Sequence, residues 1–274
     1  FMRITPGIEA DTHEYIRTGC EDSKFGFTMR DDFAFNCVED VLAAPNVRLV
    51  GLHCHIGSQI FALHSFDEAV AVMIDLIARI KERYGLEILE LDMGGGLGIA
   101  YTADDVPSTI EDFAACTAEA VVKYCAQYGV KQPHIYVEPG RSLVAQCATL
   151  VSRVVFVKSG ETKNFIIMDA GMNDLIRPAL YGAYHKIENL SAAQRSFFPT
   201  FQAYDIVGPV CESSDVWGAG RLLPLSVRGD LMAIRSTGAY GQVMASRYNM
   251  KDLAPSVFSD RLDDAPAAKD YFEK

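Results

Sequence analysis

The chain has 274 residues, 49% of them hydrophobic and 22% charged, which is enough to bury a large core in one or two domains. A formal net charge of −11 argues against nucleic acid or an anionic membrane as partner, so an anionic ligand would need a local positive site. Seven cysteines without C-x-x-C spacing, and no long apolar stretch, predict a reduced, cytoplasmic protein with no membrane span and with most thiols buried as small apolar groups.

In chain order, Met2–Thr5 reads as a buried strand followed by Pro6-Gly7, so the chain is expected to begin inside a fold. A helix over Asp31–Ala44 leads to the apolar run Val47–Leu52, which ends at His53. Ser65-x-x-Glu68 has the form of a capping box. Behind it Phe66, Val70, Met73, Ile77, Ile80 and Tyr84 share one helical face, and Gly85 is the stop. The strand Ile88–Met93 enters a glycine-rich turn. Ser108-x-x-Glu111 opens another helix, with Ile110, Phe113, Val121, Tyr124, Cys125 and Tyr128 on its apolar side and Gly129 closing it. The strand Ile135–Val137 then delivers Glu138. Each polar cluster follows the C-terminal end of a strand, where parallel α/β folds bind ligands.

After about residue 143 the texture changes. Leu150–Val157, Phe165–Met168, Tyr204–Val207, Leu223–Val227 and Leu231–Arg235 read as strands separated by Gly, Pro and polar turns. The predicted organisation is therefore an α/β domain over residues 1–143 and a mainly antiparallel β domain over 144–274. Residues 259–274 read as a charged surface tail.

Six sites carry chemistry. Gly94-Gly95-Gly96-Leu97-Gly98 follows a strand, and glycines let backbone N–H groups approach a phosphate. It lacks dinucleotide and Walker spacing, and alone it equally suits a tight turn. His53 and His55 lie two apart in His53-Cys54-His55-Ile56-Gly57-Ser58. A zinc site would need a third ligand that no spacing suggests, and no metal is assigned. His55 could instead lie flat on an aromatic ring, with the Ser58 hydroxyl close by. Glu138-Pro139-Gly140-Arg141 sets a carboxylate beside a cation. An ionised Glu138 would keep a pyridine nitrogen protonated, as an electron sink requires, and Arg141 could bind phosphate or carboxylate. Arg177 and Tyr181, four apart before Gly182, suit a substrate carboxylate. Cys211-Glu212 pairs a potential proton donor with an anion that could hold an ammonium group, and Tyr240 could donate to a phosphate oxygen. Together these suit a cofactor with an aromatic ring and a phosphate, for which pyridoxal 5'-phosphate is the candidate.

The residues also match a family. The stretches are Arg3-Ile4-Thr5-Pro6-Gly7, Thr12-His13-Glu14-Tyr15-Ile16, Ser23-Lys24-Phe25-Gly26, HCHIGSQ at 53–59, GGGLG at 94–98, EPGR at 138–141, MNDLIRPALYGAYH at 172–185, GPVCESSD at 208–215 and GAYG at 238–241. From about residue 2 to 250 the chain resembles the diaminopimelate decarboxylases, within the fold type III, alanine-racemase-like pyridoxal-phosphate enzymes. The resemblance implies the C-terminal half of a (β/α)8 barrel followed by a β domain. It implies His55 stacked on the pyridine ring, with Ser58, Tyr240 and the amides of Gly94, Gly95 and Gly96 on the phosphate, and Glu138 on the ring nitrogen. Arg141, Arg177, Tyr181 and Glu212 would clamp the distal end of meso-diaminopimelate. Cys211 would act across a homodimer interface as proton donor, and the products would be L-lysine and carbon dioxide. Two departures stand out. No segment matches the family's Schiff-base lysine on the first barrel strand, so the 274 residues alone are expected to be incomplete and inactive. After Asn249, Met250–Pro255 replaces the family's usual Pro-Arg-Pro stretch. The alternatives are an ornithine, arginine or lysine decarboxylase, or a non-catalytic regulatory homologue.

Overall fold

The structure is a computed structural model that describes residues 1–8, 24–195 and 197–260. The stretch Thr12–Ile16, Ser23 and most of the expected tail lie outside the described residues. The chain divides into two compact units, one over Phe1–Ala148 and one from Thr149 onward. The first unit runs a short way past position 143 because a helical turn, α4 (Arg141–Val144), and the 3-10 turn Ala145–Cys147 belong to it.

The first unit is α/β. It contains β1 (Met2–Thr5), β2 (Phe27–Thr28), α1 (Phe33–Ala43), β3 (Gly51–Cys54), α2 (His64–Tyr84), β4 (Glu90–Asp92), α3 (Ile110–Tyr128) and β5 (His134–Tyr136). The five strands form one parallel sheet in the order β2-β1-β3-β4-β5. Register across it aligns Arg3, His53, Asp92 and Tyr136 in one row. Because side chains alternate along a strand, the neighbouring row, with Leu52, Leu91 and Ile135, faces the other way. That row packs in the core with α2 and α3, where Phe66 and Phe113 meet edge to face at 4.7 Å.

Both long helices end as predicted, at left-handed Gly85 and Gly129. Their starts differ from expectation. Ser65 is buried inside α2, whose N-cap, Leu63, makes no side-chain cap bond. In α3 the capping box is Thr109 with Asp112, one position on from Ser108 and Glu111. Within Ser-Thr-Ile-Glu-Asp either register satisfies the box, and the register that buries Phe113, Val121 and Cys125 prevails.

The second unit holds β6 (Leu150–Ser159), β7 (Asn164–Met168), α5 (Arg177–Tyr181), β8 (Ile187–Asn189), α6 (Ala192–Arg195), β9 (Phe201–Val207), β10 (Val216–Pro224) and β11 (Leu231–Ile234). Its six-stranded sheet has the order β10-β9-β7-β6-β11-β8, and only β7–β9 is parallel. Beneath the turn before β11, Asp230 is buried and accepts hydrogen bonds from Arg195, Asn189 Nδ2 and the Val227 amide. Burial pushes its carboxyl up, but the bonds to Arg195, Asn189 and Val227 outweigh that and hold it below the usual range. Such a group stabilises the fold fully above the ordinary aspartate range near pH ~4, and the contribution fades as pH falls through the lowered value. Asp230→Asn is therefore expected to destabilise the protein at neutral pH by about 2–3 kcal/mol, read by chemical denaturation. The deficit should shrink in acid, where the wild-type carboxylate is protonated too.

Among the described cysteines only Cys54 and Cys125 are buried, while Cys147 and Cys211 are exposed, so fewer thiols serve as core atoms than expected. Burial and then Asp92 push the Cys54 thiol up to about 12, which leaves it chemically inert. No helix among the described residues is long and apolar enough to cross a membrane.

Candidate active site

The first-unit site grows from the C-terminal ends of β3, β4 and β5. Two residues beyond the aligned row stand His55, Gly94 and Glu138. The Glu138 N–H donates to the Gly94 carbonyl at 2.7 Å, so the glycine turn and the carboxylate-bearing segment are tied directly together. The approach is tight, since a Cβ on Gly95 would lie 2.2 Å from the Glu138 carbonyl oxygen. Gly94 is left-handed, and a Cβ there would meet the Cys54 carbonyl at 2.5 Å. Only glycine fits these two positions.

The turn spends its amides unevenly. Gly94 N–H donates to Asp92 Oδ1 at 2.8 Å, and Gly95 N–H donates to His55 Nδ1 at 3.1 Å. Two of the three amides of the turn are thus hydrogen-bonded within the protein. Gly96 remains as the half-buried member of the turn, with φ of 120°. The turn is zipped to the loop after β3 by Ile60 N–H to Gly96 O and Gly98 N–H to Ile60 O, both 2.9 Å. The Gln59 side chain both donates to the Ile99 carbonyl and accepts from the Ile99 amide. Gln59 itself has φ of 61°, a conformation that costs an L-residue about 1–2 kcal/mol.

His55 accepts at Nδ1, which puts its remaining proton on Nε2 and makes the ring neutral. Burial, then the Arg3 charge, holds its pKa below the usual histidine value. A neutral, oriented imidazole is suited to lie against a flat ring. The Glu138 side chain is 57% exposed, and its carboxylate lies 3.4 Å from His53 Nε2 without hydrogen-bond alignment. The partner this places beside Glu138 is His53. Arg141, expected there, is buried and donates to Ser58 Oγ through Nε and Nη2, at 3.3 and 2.9 Å, and to the Tyr101 hydroxyl at 2.8 Å. Ser58 thus accepts from a cation. Strand register also assembles what spacing did not, because ligand atoms of His53, Asp92 and Glu138 lie within 4.8 Å of one another, a grouping that could close on a cation.

These groups fit pyridoxal phosphate. Glu138 offers an accessible carboxylate for a ring nitrogen, His55 offers a neutral ring, and Ser58 and the Gly96 turn offer polar contacts for a phosphate. Sequence reading did not single out Asp92, Tyr101 or Gln59. Asp92 meets Gly94 through a two-residue bend, Tyr101 meets Arg141 from 40 residues away, and Gln59, although inside HCHIGSQ, signals itself only by its backbone.

In the second unit, Arg177 begins α5 and is buried, with Tyr181 half-buried one turn later. Cys211 and Glu212 lie exposed in the loop between β9 and β10. That loop is anchored by buried Asp215, which accepts from Val210 N–H at 2.8 Å and Met172 N–H at 2.7 Å. A Cβ on Gly208 would fall 2.3 Å from the Asp215 carboxylate, so GPVCESSD closes on itself only with glycine at its head. The Tyr248 hydroxyl donates to Glu212 Oε2 at 3.3 Å, and this bond raises the tyrosine pKa. Tyr240 is exposed and left-handed, with φ of 58°, in a turn where a Cβ on Gly241 would meet Thr237 O at 2.2 Å.

Known proteins give the arrangement its context. Residues 1–145 match the family model described as pyridoxal-dependent decarboxylase, pyridoxal binding domain. Diaminopimelate decarboxylase of Bacteroides thetaiotaomicron is 42% identical over 262 residues, covering 95% of this chain and 64% of that protein. The diaminopimelate decarboxylase structure from M. jannaschi superposes with a TM-score of 0.81 at 38% identity, covering 92% of this chain and 56% of that one. The Helicobacter pylori enzyme complexed with L-lysine gives 0.79 at 36% identity, covering 92% and 59%. The chain thus spans between 58% and 64% of the length of the curated relatives it matches. With more than half of its residues inside that family model and the turn, imidazole and carboxylate drawn together at three strand ends, the chain belongs to the pyridoxal-dependent decarboxylases.

Proposed function

We propose that the complete gene product removes carbon dioxide from meso-2,6-diaminopimelate to leave L-lysine. The observation that carries this reading is the bond from Glu138 N–H to Gly94 O, which builds the ring-nitrogen carboxylate and the phosphate turn as one piece. Bound pyridoxal phosphate supplies an electron sink for the pair of electrons left when the carboxylate departs. Glu138 holds the proton on the ring nitrogen. His55 would stack against the ring and hold it in place, and Ser58, polarised by Arg141, would donate to the phosphate, which Gly96 and Tyr240 would also contact. Arg141 has a second proposed role. With Arg177, Tyr181 and Glu212 it holds the distal amino-acid end, so a substrate with such an end is preferred. Cys211, in a homodimer with a shared site, returns a proton to the carbon that has lost carbon dioxide.

Support for the substrate comes from the relatives, which are diaminopimelate decarboxylases, one of them solved with L-lysine bound. The test is carbon dioxide release by the complete gene product. Diaminopimelate is expected to exceed lysine, ornithine and arginine by at least about 10²-fold in kcat/KM, because buried polar groups left unpaired discriminate strongly. Equal or better turnover of ornithine or arginine would overturn the assignment. Arg177→Gln should raise KM for diaminopimelate about tenfold or more while affecting kcat less.

A further inference from the structure

The buried Arg177 guanidinium has a neighbour for which the reading above has no use. Its Nη1 lies 3.0 Å from His185 Nε2, and His185 is buried to 1% exposure. On the other side of the same ring, Nδ1 lies 2.9 Å from the Arg235 carbonyl oxygen. These two contacts determine the protonation of the ring. A carbonyl can only accept, so Nδ1 must carry a proton. A guanidinium can only donate, so Nε2 must present a lone pair. The one form that satisfies both is the neutral Nδ1–H tautomer, since an imidazolium would turn N–H against N–H.

The supports of that ring are rigid. β8 pairs with β11 as far as Ile187↔Ile234, and one step further Arg235 N–H donates to Lys186 O at 2.9 Å. The Arg235 side chain is clamped in turn, its Nε donating to Glu188 Oε2 at 2.6 Å. The carbonyl that selects the tautomer therefore sits on a fixed ladder. α5, which carries Arg177, is closed by left-handed Gly182, whose N–H returns to the Arg177 carbonyl.

We propose that His185 is a positioning residue for substrate binding: as a neutral acceptor it fixes the plane of the Arg177 guanidinium, and so the direction in which Arg177 meets a substrate carboxylate. The inference rests on the reading of Arg177 as a substrate contact. A guanidinium recognises a carboxylate by a planar, two-point match, so loss of a fixed plane weakens binding more than it alters the chemical step.

The experiment compares His185→Leu, His185→Asn, His185→Gln and Arg177→Gln in the complete holoenzyme with diaminopimelate. Gln can place an acceptor near the position of Nε2, whereas Asn keeps only the near donor and Leu keeps neither. Leu and Asn are expected to raise KM about tenfold with kcat changed less than about threefold, and Gln to restore most of the loss. If Leu does not fold, the contrast between Asn and Gln decides. Unchanged KM in Asn together with a raised KM in Arg177→Gln would overturn the inference and leave Arg177 in place. Unchanged KM in Arg177→Gln would overturn the substrate reading of Arg177, and the inference with it.

Discussion

Glu138→Gln in the complete gene product is expected to lower kcat about 10³-fold while the protein remains folded and retains its cofactor. The substitution keeps size and a polar head but removes the charge to which the proposed reading assigns the holding of a proton on a ring nitrogen. Without that proton the ring is a poor acceptor of electrons, and preorganised charge stabilisation of this kind is worth about 10²–10³ in rate. The fold has little stake in the side chain, which is more than half exposed and has His53 as its near neighbour. The segment is fixed instead through its backbone, by Glu138 N–H to Gly94 O, which the substitution leaves intact. The absorption spectrum of the bound cofactor should change in the variant. Full activity in Glu138→Gln would remove the carboxylate from the chemistry.

Gly95→Ala tests the same geometry from the other strand. Its Cβ would sit 2.2 Å from the Glu138 carbonyl oxygen, where real contacts stay beyond 3.0 Å. Something must move, and both partners are backbone. Displacing the turn also breaks the Gly95 N–H bond that sets the His55 tautomer. One methyl group therefore disturbs His55, the glycine turn and Glu138 together. Misplacement on the scale of 1 Å costs about 10²-fold in rate, and a comparable fall in cofactor affinity is expected by titration. Circular dichroism separates this local shift from loss of fold. Near-normal affinity would show that the turn does not hold the cofactor.

Much of the fold was legible because periodic signals were long. The 21-residue α2 showed its buried face and its glycine stop, and Met2–Thr5 was placed to the residue. What failed was local. β10 was missed over most of its length because Trp217-Gly218-Ala219-Gly220-Arg221 carries register shifts that break alternation. β8, at three residues, was too short to show a period. In the site, residue types drew attention to His55, Glu138 and the glycine turn, which the structure brings together. Their partners were invisible, because Asp92 reaches Gly94 only through a bend and Arg141 reaches Ser58 and Tyr101 only through folding. The pairing of Glu138 with Arg141, read from adjacency along the chain, gave way to His53 because neighbouring strands bring His53 to the same face. His185 had no sequence signal for its role, since the carbonyl that sets its tautomer lies 50 residues away.

A crystal structure of the complete gene product grown with pyridoxal phosphate is the most direct test. It should place the phosphate against the Gly94–Gly96 turn beside Ser58, the ring on His55, and the ring nitrogen within hydrogen-bonding distance of the Glu138 carboxylate. A cofactor bound elsewhere, or one whose ring nitrogen faces away from Glu138, would contradict the account.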